Sequence, residues 1–302
     1  KLFDLSVFML LGCLAISFLV GFLLDKYRIH WLPEAGAAIV IGMIAGGLVR
    51  WLTASGESEL QNMVEFSDRF FFLALLPPII FESGFNMKRR KFFTNLGSII
   101  WLAVAGTIIS AFVTAACLWG LGKLQGFFEI TFTEALSFGA LISATDPVTV
   151  LAIFQRLGAE INLYSVVFGE SVLNDAVAIV LFETVVRYLS VPFTGHSLGH
   201  AVGDFMRIFF GSTGVGVFFG IVASLVYKYF DFTEHSSLMF MEVVMAAVFP
   251  YMAWLLAEAQ SLSGIVAILF CGIVMAHYAQ NNMSPKGAKF ATKFFKAMAT
   301  LA

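Results

Sequence analysis

Apolar runs of about 20 residues recur along the whole chain, and this pattern limits the possible folds more than any other feature. A helix of that length crosses about 30 Å of hydrocarbon. Because the bilayer offers backbone groups no water, each run is expected to be a helix, and no alternating barrel-strand pattern is visible. We therefore predict an all-α polytopic membrane protein. The nine predicted spans are 3–24, 32–52, 68–86, 97–121, 134–155, 164–188, 206–228, 237–257 and 261–278, and 286–302 is expected to open a tenth helix.

Composition and charge support a membrane protein. Hydrophobic residues make up 59% of the 302 positions and charged residues 13%, against about 45–50% and about 25% in soluble domains. The formal net charge of −2, without a long basic run, gives no reason to expect a nucleic-acid partner. The three cysteines lie inside apolar runs and the five histidines in loops or near span ends, so neither group is assigned any chemistry.

The distribution of basic residues predicts the orientation of the spans. Most of the 18 Lys and Arg residues lie in the loops after spans one, three, five, seven and nine. Cytoplasmic loops of membrane proteins carry an excess of such residues. These loops are therefore expected to be cytoplasmic, with the N-terminus outside the cell or in a lumen.

Spans three and five each carry proline inside the apolar run. Span three contains Pro77 and Pro78, and span five contains Pro147. Pro147 removes a backbone donor, leaves the carbonyl of Ser143 free and pushes Asp146 away from helical dihedrals. Irregular backbone at membrane depth is typical of ion sites in secondary transporters. We therefore expect both helices to be bent or broken and span five to be the first candidate for function.

Span six concentrates polar side chains within two turns: Glu170, Ser171, Asn174 and Asp175. At helical spacing Ser171 and Asp175 share one face, and Glu170 and Asn174 share the adjoining face. An ionisable group inside a membrane is costly unless it is paired or hydrated. A carboxylate such as Asp175 holds either a proton or a small alkali cation, and this competition is already an exchange mechanism. A structural ion pair with a basic residue on another helix is the alternative for both carboxylates.

Other polar residues leave alternatives open. Asp146 either caps exposed amide groups at the predicted helix break or binds an ion, which Thr145 could also do through its carbonyl or hydroxyl oxygen. Ser171 supplies a neutral oxygen ligand or bonds back to its own helix. Glu82 lines an ion entry path or extends to the membrane interface. Packing or helix-end roles are expected for the remaining acids in apolar runs, Glu183, Glu242 and Glu258.

Several motifs resemble the eukaryotic sodium/proton exchanger family and its NhaP-type bacterial relatives, most nearly the organellar branch. The motifs are FGES at 168–171 with NDAV at 174–177, SATDPV at 143–148, LPPIIFESG at 76–84 and SLSGI at 261–265. The motifs form a specific combination, and the resemblance runs through the whole chain. The resemblance implies an inverted-repeat cation/proton antiporter fold of thirteen helices, with two six-helix repeats and a linking helix between them.

The resemblance also implies a domain organisation. Residues 1–94 would form dimerisation-domain helices 1–3, and 95–190 would form core helices 4–6 with helix 5 broken. Residues 191–233 would form linker helix 7, and 234–302 would form helices 8 and 9 and the start of helix 10. About nine to ten of the thirteen helices would then be present. The second broken helix and an arginine-bearing partner helix for Glu170 would be absent, so the chain is expected to be part of an exchanger that does not transport alone.

Matching the family motifs implies roles for individual residues. Asp175 matches the aspartate that alternately binds a proton and a cation, and Asn174 occupies its partner position. Family members that exchange unequal charge carry a second aspartate there, so asparagine implies electroneutral exchange of one cation for one proton. Ser171 and Thr145 match ion-coordinating positions, which gives an expected Na⁺ or K⁺ site at Asp175, Ser171 and Thr145.

Four further positions match supporting roles. Asp146 and Pro147 belong to the unwound segment of the core, Glu170 matches a core-stabilising acid, and Glu82 matches an acidic residue near the ion path. The implied protein is a homodimer without a cofactor that exchanges cations for protons by alternating access and so regulates luminal or cytoplasmic pH and cation content. A Golgi or endosomal membrane is expected, with the plasma membrane as the alternative.

Two other functions were weighed against this one. An intramembrane aspartic protease would use Asp146 and Asp175 as its catalytic pair, but neither aspartate lies in a Gly-x-Gly-Asp context. A cation channel would need a pore-filter sequence, and none is apparent. Neither function accounts for the asparagine beside Asp175.

Overall fold

The protein is α-helical throughout the part of the chain that the computed structural model describes, which confirms the all-α prediction. The described residues are 2–27, 32, 34–53, 71–87, 89–125, 130–145, 150, 154, 157, 160–189, 195–230 and 239–301. The chain divides into two compact units, Lys1–Phe70 and Phe71–Ala302. The first unit contains α1 (Leu2–Lys26) and α2 (Glu34–Thr53), which pack against each other.

Within the described residues, the second unit contains ten further helices. In chain order they are α3 (Leu76–Phe85), α4 (Arg89–Thr94), α5 (Leu96–Gln125), α6 (Phe132–Ser143), α7 (Ile161–Arg187), α8 (Gly195–Tyr229), α9 (Met239–Ala259), α10 (Gly264–His277), α11 (Ala279–Asn282) and α12 (Pro285–Leu301). Stretches of α5, α7, α8 and α9 are long and apolar enough to cross a membrane. Large apolar side chains such as Trp101 and Ile109 point outward, 72% and 63% exposed. Such faces suit a chain whose surroundings are lipid.

Helix α10 lies at the centre of the second unit and packs against α3, α8 and α9. Close approach to α3 depends on glycine on both sides. A Cβ added at Gly84 would lie 2.7 Å from the carbonyl oxygen of Leu269, and one added at Gly272 would lie 3.2 Å from that of Phe81. Small residues at such contacts let membrane helices pack through their backbones.

Span five is broken, as predicted, and span three contains a π-helical turn before its prolines. A single π-helical turn, Phe71–Leu75, leads into α3, and prolines occupy the first positions of that helix, where a missing amide costs no hydrogen bond. Helix α6 ends at Ser143, and Ala144 is extended, with φ −69° and ψ 112°. The break therefore begins before Asp146 and Pro147, and both of these residues lie outside the described part.

One helix begins far from its predicted bound, and another continues through a proline. Helix α8 begins at Gly195, well before the predicted start at 206, because its first turns are too polar to register as part of an apolar run. Helix α9 continues through Pro250. A proline inside an apolar run therefore does not by itself mark a broken helix.

Two of the remaining acids, Glu242 and Glu258, accept hydrogen bonds at the start of another helix, in agreement with the expected helix-end role. The Glu242 side chain is fully buried and accepts hydrogen bonds from the Ser284 amide, at 3.1 Å, and hydroxyl, at 2.7 Å, at the start of α12. Glu258 accepts a hydrogen bond of 3.0 Å from the amide of Gly264, the first residue of α10. Negative charge at a helix N-terminus is stabilised by the unpaired amides and the helix dipole.

Candidate functional site

Thr145, two residues beyond the end of α6, is held by side chains of α7. The Asn174 side-chain amide donates to the Thr145 hydroxyl oxygen at 3.1 Å. The Ser171 hydroxyl donates to the Thr145 carbonyl oxygen at 3.1 Å. This carbonyl lies past the last turn of α6 and therefore has no partner within that helix. The sequence-predicted residues Thr145, Ser171 and Asn174 thus form one cluster.

Asn174 is the most deeply buried member of this cluster, with 2% of its surface exposed. Its amide nitrogen also lies 3.4 Å from Oε1 of the half-buried Glu170. The side-chain oxygen of Asn174 has no hydrogen-bond partner among the described residues. A buried polar atom without a partner costs about 1–3 kcal/mol. A bound cation or water would remove that cost.

Asp175 lies in the wall of a small cavity of about 30 Å³. A cavity needs about 10–15 Å³ of such volume to hold a water molecule, so this one has room for at least one water or one dehydrated alkali ion. The other lining residues come from α3, α7 and α10: Ile80, Ser83, Val172, Ala176, Ile265 and Leu269. Ser83 donates its hydroxyl hydrogen to the Ile79 carbonyl at 3.2 Å, so its oxygen can still accept or coordinate. A carboxylate in a largely apolar wall suits a site that binds a proton and a cation in turn.

The predicted site residues lie in two parts of the structure, the cluster around Thr145 and the cavity lined by Asp175. The hydroxyl of Ser171 and the side-chain amide of Asn174 contact Thr145, and Asp175 lines the cavity. Glu82 accepts a hydrogen bond of 2.8 Å from Asn86 at the end of α3 and is not part of the cavity lining.

Sequence reasoning missed the residues of other helices that line the cavity with Asp175, among them Ser83, Ile265 and Leu269. Ser83 lies in the LPPIIFESG motif and Ile265 in the SLSGI motif, so both were within reach of the motif search. The motifs alone do not state which helix faces which. Ser83 is the polar residue among the three and the additional candidate for an ion-facing oxygen.

Comparison with known proteins identifies the family. The family model described as the sodium/hydrogen exchanger transmembrane region matches residues 14–299. Sodium/hydrogen exchanger 5 of Arabidopsis thaliana is 42% identical over 289 residues, which cover 96% of this chain and 55% of that protein. Sodium/hydrogen exchanger 8 of Gallus gallus is 42% identical over 285 residues, covering 93% of this chain and 49% of that protein. The chain spans about half the length of these relatives.

A solved structure shares the fold. The sodium proton antiporter MjNhaP1 of Methanocaldococcus jannaschii superposes with a TM-score of 0.69 at 14% sequence identity, over 100% of this chain and 68% of that one. The similarity confirms the antiporter fold that the motifs implied. Since the family model covers nearly the whole chain, this polytopic membrane protein belongs to the sodium/hydrogen exchanger family.

Proposed function

We propose that the protein containing this chain exchanges Na⁺ or K⁺ for H⁺ across a membrane. Family membership and relatives named sodium/hydrogen exchangers support the proposal. The observation that carries it is the Asp175 carboxylate in the wall of a cavity of about 30 Å³, one residue from the buried Asn174. A carboxylate in this position has room for one small ligand, and a proton and a cation compete for it.

In the proposed cycle Asp175 is the group that carries protons and cations alternately. A cation bound to the carboxylate disfavours protonation, and a proton cancels the charge that attracts the cation. The amide of Asn174 stays neutral in both states. One positive charge therefore crosses in each direction, and the exchange is electroneutral.

The residues around Asp175 shape and complete the site. Thr145 and Ser171 contribute hydroxyl and carbonyl oxygens, which suit alkali cations as hard ligands. Their mutual hydrogen bond keeps the unwound backbone after α6 against α7. Asp146 and Pro147 maintain that unwound segment and Glu170 stabilises the core around Asn174. Glu82 stays a candidate for the ion path.

Transport proceeds by alternating access in this proposal. The core, 95–190, moves against the dimerisation helices in 1–94, with 191–233 as the linker and 234–302 as the opening of the second repeat. Such movement of one helix bundle against another is the general mechanism of inverted-repeat transporters. The working unit is a homodimer without a cofactor in a Golgi or endosomal membrane, where it regulates luminal pH and cation content.

Electroneutrality is tested in proteoliposomes containing the full-length protein, with Na⁺- or K⁺-driven proton movement followed at several clamped membrane potentials. We expect the wild-type rate to be independent of the potential. Asn174→Asp adds a second titratable carboxylate and is expected to make the rate vary with the potential. A wild-type rate that follows the potential would rule out one-for-one exchange, and the same assay gives the preference between Na⁺ and K⁺.

Thr145→Val is expected to raise the KM for the transported cation by about 2–10-fold, the equivalent of one hydrogen bond of about 0.5–1.5 kcal/mol. Valine has nearly the same shape but cannot accept the hydrogen bond from the Asn174 amide. Thr145→Ser keeps the hydroxyl and serves as the matched control, with a KM close to that of the wild type. Equal KM values for the valine and serine variants would exclude the Thr145 hydroxyl from the site.

A further inference from the structure

Two histidines lie together at the start of α8. Because this helix begins at Gly195, His196 and His200 are four residues apart on one helical face. Both side chains are exposed. Their Nε2 atoms are 3.3 Å apart, and their ring centroids are 4.5 Å apart. A loop at this position, as predicted from sequence, would have given no reason to pair the two rings.

The distance between the two nitrogens suits a shared metal ion. Zn–N bonds to imidazole measure about 2.0–2.1 Å. Two nitrogens 3.3 Å apart then subtend an angle of about 104–111° at the metal, close to the tetrahedral angle of about 109°. The spacing of the two Nε2 atoms therefore matches that of two imidazole ligands on one ion. Imidazole nitrogen is a preferred ligand of Zn²⁺, Cu²⁺ and Ni²⁺, whereas alkali cations prefer oxygen.

We propose that His196 and His200 form a binding site for a divalent transition-metal ion of the Zn²⁺ class, separate from the exchange site at Asp175. Within the described residues no cluster of three or more His, Cys, Asp or Glu side chains is placed to hold a metal, so water completes the coordination. The next acid along α8, Asp204, accepts a hydrogen bond of 2.8 Å from the Tyr188 hydroxyl. Two protein ligands give a site that loads reversibly and is emptied by a chelator.

Metal binding at this position has a structural consequence for α8. The ion joins two successive turns at the start of the helix, next to Ser197 and Leu198, which line a groove between α8 and helices α5–α7. An ion that binds the folded helix and not the unfolded chain stabilises the fold by RT ln(1 + [metal]/Kd). Zn²⁺ therefore raises the melting temperature of the wild type.

The test uses full-length protein purified without a histidine tag, titrated with ZnCl₂ in a calorimeter and melted with and without Zn²⁺. The variants His196→Gln and His200→Gln each leave a single imidazole. A matched control, His200→Gln combined with Gly203→His, keeps the number of histidines. It places the second one seven residues from His196, about 10.5 Å along the axis and out of reach of a shared ion. Open space surrounds Gly203, so the new side chain is accommodated.

We expect the wild type to bind one more Zn²⁺ per chain than each variant, or to bind it at least tenfold more tightly. The Zn²⁺-dependent rise in melting temperature is expected in the wild type and absent in all three variants. The proposal is overturned if the wild type shows no Zn²⁺ binding, or if the relocated pair binds as the wild type does. Melting without Zn²⁺ confirms that each variant is folded. The readout does not depend on transport activity.

Discussion

Asp175→Asn is expected to abolish cation-driven proton movement by the full-length protein, leaving no more than the leak of empty liposomes. Asparagine has almost the same shape as aspartate, so the cavity of about 30 Å³ keeps its form. Its amide neither binds a proton near neutral pH nor carries the negative charge that attracts a cation. Both substrates therefore lose their site at once. The measurement follows a pH-sensitive dye inside proteoliposomes after a Na⁺ or K⁺ pulse.

A second acid-to-amide substitution, away from the cavity, distinguishes loss of ion binding at Asp175 from a general loss of folded protein. Asp204→Asn alters a partly buried acid in α8 whose described contact is the hydroxyl of Tyr188, away from the cavity. This control is expected to keep at least half of the wild-type rate. Asp175→Asn should melt at a temperature similar to that of the wild type, which shows that the protein is folded. Exchange at the wild-type rate by Asp175→Asn would mean that this partly buried carboxylate is structural and that another group carries the proton.

The helices were predictable because a bilayer requires long apolar segments, and α1, α5 and α7 lie close to their predicted bounds. The same criterion cannot find helical turns that extend beyond the apolar region. The first turns of α8 contain His196, His200 and Asp204, so an apolar-run search places the start of the helix too late. Their helical structure depends on continuity with the apolar part of α8 and on packing, and neither is visible in a local window.

Part of the candidate site was predictable, because ionisable side chains inside an apolar span are costly and therefore point to a function. Placing Glu170 and Asp175 in an apolar span costs free energy unless the side chains have a function, so these residues single out span six. The spacing of one helix does not say which neighbour each face meets. Asn174 and Ser171 donate hydrogen bonds to Thr145, just beyond the end of α6. Asp175 lines a cavity together with Ser83 and Leu269, which are distant from it in sequence. Such pairings follow from how α3, α7 and α10 pack together, and a single sequence does not contain that information in readable form.

Gly139→Val is expected to eliminate exchange without touching any ion-binding residue, because it displaces the helix that positions Thr145. Helix α6 starts at a capping box in which Thr131 and Glu134 hydrogen-bond reciprocally, and it packs against α5. A Cβ at Gly139 would overlap the backbone carbonyl oxygen of Ala111 on α5. The contact joins the backbone of α6 to the backbone of α5, and neither can rotate away as a flexible side chain can. Helix α6 must therefore shift as a whole.

Thr145 follows the end of α6 by two residues and is bonded to α7 through hydrogen bonds of 3.1 Å, so a helix shift of about 1 Å breaks them. Overpacking of this kind costs about 1–3 kcal/mol, and the melting temperature should fall with the exchange rate. Gly106→Val on α5 is the matched control, because a Cβ there meets nothing within 4 Å. It should exchange and melt like the wild type. If Gly139→Val did the same, α5 and α6 could separate without consequence, and the position of Thr145 could not depend on their contact.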